Sequence, residues 1–163
     1  MMQYDVKSAI AKSTGLLVPY PVRLKSITVT SATVSARNTC ICDPTINSSG
    51  TYSRTTPSTT ITVTITNHGF VTGQRVFLNF TSGTARDAVY AITKTGNNTF
   101  TCADPGVFTT TSGNVTAYSS IALEIDTFNA VGLGVLVPGE GIYCPNGIFV
   151  GCGSSVTATI FYG

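Results

Sequence analysis

Apolar and polar side chains alternate with a period of two through most of this chain, the pattern of strands that bury one face. The alternation is sharpest over Thr59–Thr66, where Ile61, Val63 and Ile65 fall on one side and Thr60, Thr62, Thr64 and Thr66 on the other. Arg75–Phe80 sets Val76, Leu78 and Phe80 against Phe77 and Asn79, Ala88–Thr93 carries Tyr90 and Ile92, and Thr99–Ala103 carries Phe100 and Cys102. Turn formers punctuate these runs at Asn67-His68-Gly69, Gly73-Gln74, Thr81-Ser82-Gly83, Gly96-Asn97-Asn98 and Asp104-Pro105-Gly106, residues that tolerate positive φ or preset a turn. Val107–Thr110 and Asn114–Tyr118 read as short closing strands around Ser112-Gly113. Residues 58–117 therefore predict a small β-barrel or sandwich with strands, turns and apolar faces of its own.

The flanks read as two halves of a second β-fold. Arg23–Thr30 alternates Ile27 and Val29 with Thr28 and Thr30, and Thr33–Cys42 continues in the same manner. After the module, Ser120–Asp126, Gly132–Val137, Ile142–Cys144, Ile148–Val150 and Ser155–Tyr162 are strands between turns such as Pro138–Gly141 and Pro145–Gly147. Neither flank is large enough to close a core alone. The prediction is an all-β chain: a discontinuous, jelly-roll-like β-sandwich of about seven to eight strands from residues 1–57 and 118–163, with 58–117 spliced into one loop. Met1–Lys12 reads as a short helical or irregular arm, and Asp43–Pro57, rich in turn formers and without periodicity, as a linker. Pro19 and Pro21 bar a central strand at Leu16–Val18.

Composition narrows the function. Only 10% of the 163 residues are charged, and threonine makes up roughly a sixth of them, well above ordinary usage. The net charge of +2 and the scatter of the nine Lys and Arg leave no nucleic-acid footprint. Mean hydropathy is +0.28, yet no apolar run approaches the roughly 18 residues of a membrane helix. The first residues lack the continuous apolar core of a signal peptide. Cys40, Cys42, Cys102, Cys144 and Cys152 are odd in number and none sits in C-x-x-C spacing. They read as small buried hydrophobes without a disulfide, and Cys40 and Cys42 share one face of a strand.

Reactive chemistry is sparse. His68 is the only imidazole and lies in a tight turn, where its ring bonds nearby backbone groups, and no G-x-S-x-G elbow surrounds any serine. Glu124 and Asp126 share one face of a strand and read as a solvated edge, while Asp43 and Asp104 each precede a proline and read as turn initiators. No catalytic, metal-ligating or cofactor-binding set emerges. The tyrosines are placed instead for contact with other proteins. The terminal strand is apolar on both faces, with Val156, Ala158, Ile160 and Tyr162 on one and Phe161 on the other. A sandwich buries only one face of a strand, which leaves Phe161 for a neighbouring subunit. Phe161, with Tyr162, Tyr143, Tyr20 and Arg23, is the candidate oligomer interface.

Two stretches carry a resemblance. ITVTITNHGFVTGQRVFLNFTSG, AVYAIT and NNTFTC, within Ile61–Val115, resemble a module recurrent in structural proteins of tailed bacteriophages. GLGVLVPGEGIYCPNGIFVGCGSSVTATIFYG, over Gly132–Gly163, is similar to the C-terminal halves of small phage virion proteins, and TGLLVPYPVRLKSITVT is compatible with the first strands of that fold. The shared motifs are turn glycines and alternating strands, and no catalytic residue carries over. The resemblance implies an oligomeric, trimeric virion protein, made in the host cytoplasm. Its leading reading is a capsid decoration (cement) protein bound to the major capsid protein, without nucleic-acid or membrane partners. A tail or adsorption component whose module binds a host-surface glycan is the alternative, and a small hydrolase a third that the lack of reactive residues argues against.

Overall fold

The computed structural model describes residues 6–32, 37–104, 109–127, 132–153 and 155–163. Four strands come first: β1 (Lys7–Ala11), β2 (Gly15–Val18), β3 (Val22–Ser31) and β4 (Arg37–Cys42). Six follow: β5 (Asn47–Arg54), β6 (Thr60–Thr64), β7 (Arg75–Phe80), β8 (Ala88–Lys94), β9 (Thr99–Ala103) and β10 (Thr111–Tyr118). The last five are β11 (Ile121–Thr127), β12 (Gly132–Leu136), β13 (Ile142–Cys144), β14 (Ile148–Cys152) and β15 (Val156–Tyr162). The chain divides into two compact units, one from Met1–Thr45 with Ile121–Gly163 and the other Ile46–Ser120.

The discontinuous unit is a sandwich of two antiparallel sheets. One runs β1-β15-β3-β12, with β13 pairing the start of β3, and the other runs β11-β4-β14-β2. With β12 and β13 counted as one strand interrupted by the turn at Pro138–Gly141, this is the double Greek-key order of a jelly roll. Every pairing in both sheets joins a strand from before the insertion to one from after it. Alternate residues of β3 and β15 point inward, so that Leu24, Ile27, Val29, Ala158 and Ile160 meet Ile41, Ile125, Ile148 and Val150 of the facing sheet. Among the described residues, Tyr162 is the sole aromatic in this core cluster.

The inserted unit is a closed six-stranded barrel in the order β10-β5-β6-β9-β8-β7. Strand β10 closes it by pairing β5 along one edge and β7 along the other. The inward alternation of Ile61 and Val63, Val76 and Leu78, and Phe100 and Cys102 is the one visible in the sequence. Its core is aromatic, with Phe70, Phe100, Tyr52 and Tyr90 at its centre. Phe70 and Phe100 meet edge to face, their ring centroids 5.6 Å apart.

Several expectations need correction. Lys7–Ala11 is an edge strand, not a helical or irregular arm, because its backbone pairs along β15 from Lys7↔Tyr162 to Ala11↔Ala158. Asn47–Arg54, within the stretch read as a linker, is a full barrel strand, so the inserted unit begins before residue 58 and runs from Ile46 to Ser120. Its inward positions include Gly50, Tyr52 and Arg54, which carry no aliphatic alternation. Gly50 is there because of a close approach: a Cβ at this position would run into the Thr64 carbonyl of β6. Thr111–Tyr118 is one continuous strand without a break at Ser112-Gly113, and the expected strand residues Val107 and Phe108 lie outside the described residues. In the other direction, with β12 and β13 counted as one, the described strands of the sandwich number eight, at the top of the expected seven to eight. β2 is an edge strand, paired to β14 alone, as its flanking prolines require.

Candidate binding cleft

Three strand ends converge at one end of the five-stranded sheet: β1 begins at Lys7, β15 ends at Tyr162 and β3 begins at Val22. The β2–β3 link brings Tyr20 and Pro21 to the same place, and the turn between β12 and β13 brings Glu140. Together they line a cleft of about 510 Å³. The turn is fixed by backbone chemistry. Val137 donates its N–H to the Lys25 carbonyl, and Gly141 sits at φ +81°, packed so closely on the Leu24 carbonyl that no Cβ fits. A residue without a Cβ adopts that conformation at little cost.

Two of the cleft's cations, Arg23 and Lys25, are held by neutral groups. Arg23 donates from Nη1 to the Gly141 carbonyl at 3.5 Å, and its guanidinium carbon lies 5.4 Å from the centre of the Tyr143 ring, a cation–π contact. Lys25 Nζ donates to the Glu140 carbonyl at 2.9 Å, not to its carboxylate. The hydroxyls of Tyr20 and Tyr162 lie 3.5 Å apart. Tyr162 titrates above the ordinary phenol range, first because of that hydrogen bond and then because of burial.

Four of the five candidate interface residues, Tyr20, Arg23, Tyr143 and Tyr162, therefore gather in or beside this cleft, Tyr143 by stacking on Arg23. Tyr162 itself is buried under the inward face of β15. Phe161 stands apart, half-buried on the outward face of the sheet. Across that face the register builds three rows: Ser8, Phe161, Ser26 and Leu136; Ile10, Thr159, Thr28 and Gly134; and Thr157, Thr30 and Gly132. No row contains a charge, and Leu136 and Ile10 are 78% and 60% exposed.

The barrel holds two polar clusters that belong to its own construction. His68 accepts the Phe70 N–H at Nδ1, 3.0 Å away, so its proton sits on Nε2, 3.2 Å from the Gly96 carbonyl. The ring packs against Phe70 and Phe100, which is the turn role read from the sequence. Asp104 is more than a turn initiator. It is buried, pairs with buried Arg54 at 3.2 Å, and is also bound by Arg86. Asp43 does initiate a turn, accepting from the Thr45 N–H at 2.8 Å.

Sequence reasoning missed Lys7, Lys25 and Glu140 in the cleft and the Arg54–Asp104–Arg86 cluster in the barrel. Strand register and the turn between β12 and β13 unite the first set, and the last is joined by ion pairs between residues far apart in sequence. All five cysteines are buried thiols, with Cys40 and Cys42 Sγ atoms 3.5 Å apart on β4. Burial pushes Cys102 up to about 12 and Cys152 up to about 11. Among the described residues, no three His, Cys, Asp or Glu side chains gather as metal ligands. A scan against protein-family models finds no family that matches the chain, and a search of curated proteins finds no relative.

Proposed function

We propose that this protein is a structural component of a tailed-phage virion, a head decoration protein that associates as a trimer and contacts the major capsid protein. The observation that carries the reading is the set of three charge-free rows across the outward face of β1, β15, β3 and β12, with Ile10, Phe161 and Leu136 set among Ser, Thr and Gly. Interface cores are depleted of charge and enriched in aromatic residues, and identical subunits close most simply about a rotation axis. The resemblance of residues 61–115 and 132–163 to phage virion proteins supports the same reading.

Phe161 is the expected anchor of self-association. Sedimentation over a dilution series should give a trimer for the wild type, and Phe161→Ala should weaken association by about 2 kcal/mol. A wild type that stays monomeric at high concentration defeats the oligomer. Antibody labelling of purified virions should mark the heads, and label confined to tails would replace decoration by an adsorption role.

A further inference from the structure

We propose that the cleft at the start of β3 is a binding site for an acidic saccharide, a sugar ring bearing a carboxylate. Arg23 and Lys25 hold the anion, the exposed Tyr20 ring packs on the apolar face of the sugar, and the Glu140 carboxylate accepts hydrogen bonds from its hydroxyls. The volume of about 510 Å³ lies within the roughly 300–1,000 Å³ of small-molecule sites.

The charge arrangement selects the ligand class. Among the described residues, Lys7, Arg23 and Lys25 line the cleft together with one carboxylate side chain, Glu140. Arg23 and Lys25 donate to backbone carbonyls of the turn, which fixes their positions without neutralising them. A guanidinium has five donors and an ammonium three, so both keep donors for an anion. A ligand that is only anionic, such as phosphate or a run of acidic side chains, would meet Glu140 as a repelling charge. A carboxylated sugar answers both signs, its carboxylate going to the cations and its hydroxyls donating to Glu140. Tyr20 is 46% exposed and offers an amphipathic ring of the kind that packs on a sugar face, its hydroxyl placed by that of Tyr162.

The proposal rests on the cleft and not on the face carrying Ile10, Phe161 and Leu136, so it is tested by ligand binding and not by oligomeric state. Amide shifts of the full chain are followed by NMR during titration with N-acetylneuraminate, glucuronate, their methyl esters, inorganic phosphate and a hexaglutamate peptide. At least one free acid should bind saturably, with shifts at residues 20–25 and 138–143, and its ester about tenfold more weakly, the loss of a charge-assisted contact. Arg23→Gln and Lys25→Met should each weaken the acid about tenfold at an unchanged melting temperature. If either variant fails to fold, Tyr20→Ala, an exposed position, carries the test and should also weaken the sugar. Glu140→Ala should weaken the saccharide and strengthen hexaglutamate, the opposite signs separating the two ligand classes. Absence of saturable binding by either acid overturns the proposal. So does an ester that binds as well as its acid, or tighter binding of phosphate or hexaglutamate.

Discussion

The jelly roll and the barrel are both antiparallel β-structures, and they are wired in opposite ways. Each barrel pairing lies within Asn47–Tyr118, and β7, β8 and β9 follow one another as neighbours. Each jelly-roll pairing crosses the whole insertion. The cores differ as well: aromatic in the barrel, aliphatic with small thiols in the jelly roll. A closed barrel with local pairings carries its own stability, whereas a fold of non-local pairings forms only when all its strands are present.

The sharpest break in the comparison is excision. Both units close at the splice, since Cys42 pairs with Ile121 in the jelly roll and Asn47 with Tyr118 in the barrel. Replacing Ile46–Ser120 by a short Gly-Ser linker should therefore leave a jelly roll with one cooperative unfolding transition. Replacing only 58–117 should leave β5 without its barrel partners and a product that aggregates. Loss of cooperativity in the first protein would show that the two units share one folding reaction.

Within the intact chain, calorimetry should resolve two transitions. Phe100→Ala should lower the barrel's stability by about 3–5 kcal/mol and leave the jelly-roll transition in place. A single transition that shifts as a whole would contradict independent cores. Asp104→Asn comes next, at about 3 kcal/mol, because it leaves the buried Arg54 without its counter-charge. That loss should also appear in the barrel transition alone. Gly50→Ala in the barrel and Gly141→Ala in the jelly roll should each cost about 1–3 kcal/mol, each in its own transition, measured by the same calorimetry.

The smallest effect is kinetic. Cys102 sits in the barrel, and Cys40, Cys42, Cys144 and Cys152 sit in the jelly roll. Thiolates are the reactive form, and the raised Cys102 and Cys152 are protonated near pH 8. Labelling then waits on local unfolding. In Phe100→Ala, Cys102 should label faster while the other four keep their native rates, as peptide mass mapping would read out. Equal acceleration at all five would couple the two units.

The same contrast governs what could be read in advance. Strands β6 and β9 are visible because their inward positions are apolar and their outward ones are mostly threonines. β5 is hidden because its inward side holds Gly50 and Arg54, chosen for close approach and charge pairing. β1 is hidden because its inward residues Ala9 and Ala11 are small and lysines flank it. Of the cleft, Tyr20, Arg23, Tyr143 and Tyr162 stand out as aromatic and cationic residues near strand ends. Lys7 and Lys25 join them only through the β1–β15–β3 register, and Glu140 only through the turn between β12 and β13 that packs on β3, none of which alternation encodes. Asp104 looks like an ordinary residue before proline because its partner Arg54 is 50 positions away.

The pairing pattern also sets a schedule for the chain as it leaves the ribosome. β3 is the longest strand among the described residues, at 10 residues, and its neighbours β12, β13 and β15 are among the last strands made. The whole barrel is translated while β3 still lacks all of them. A chain emerges at about 5–20 residues per second, so the barrel has seconds to complete its ring while four earlier strands wait unpaired. Charge-poor, Thr-rich strands left open in this way are templates for pairing with other chains. The barrel's early closure withdraws its own six strands from that hazard before the jelly roll's second half arrives.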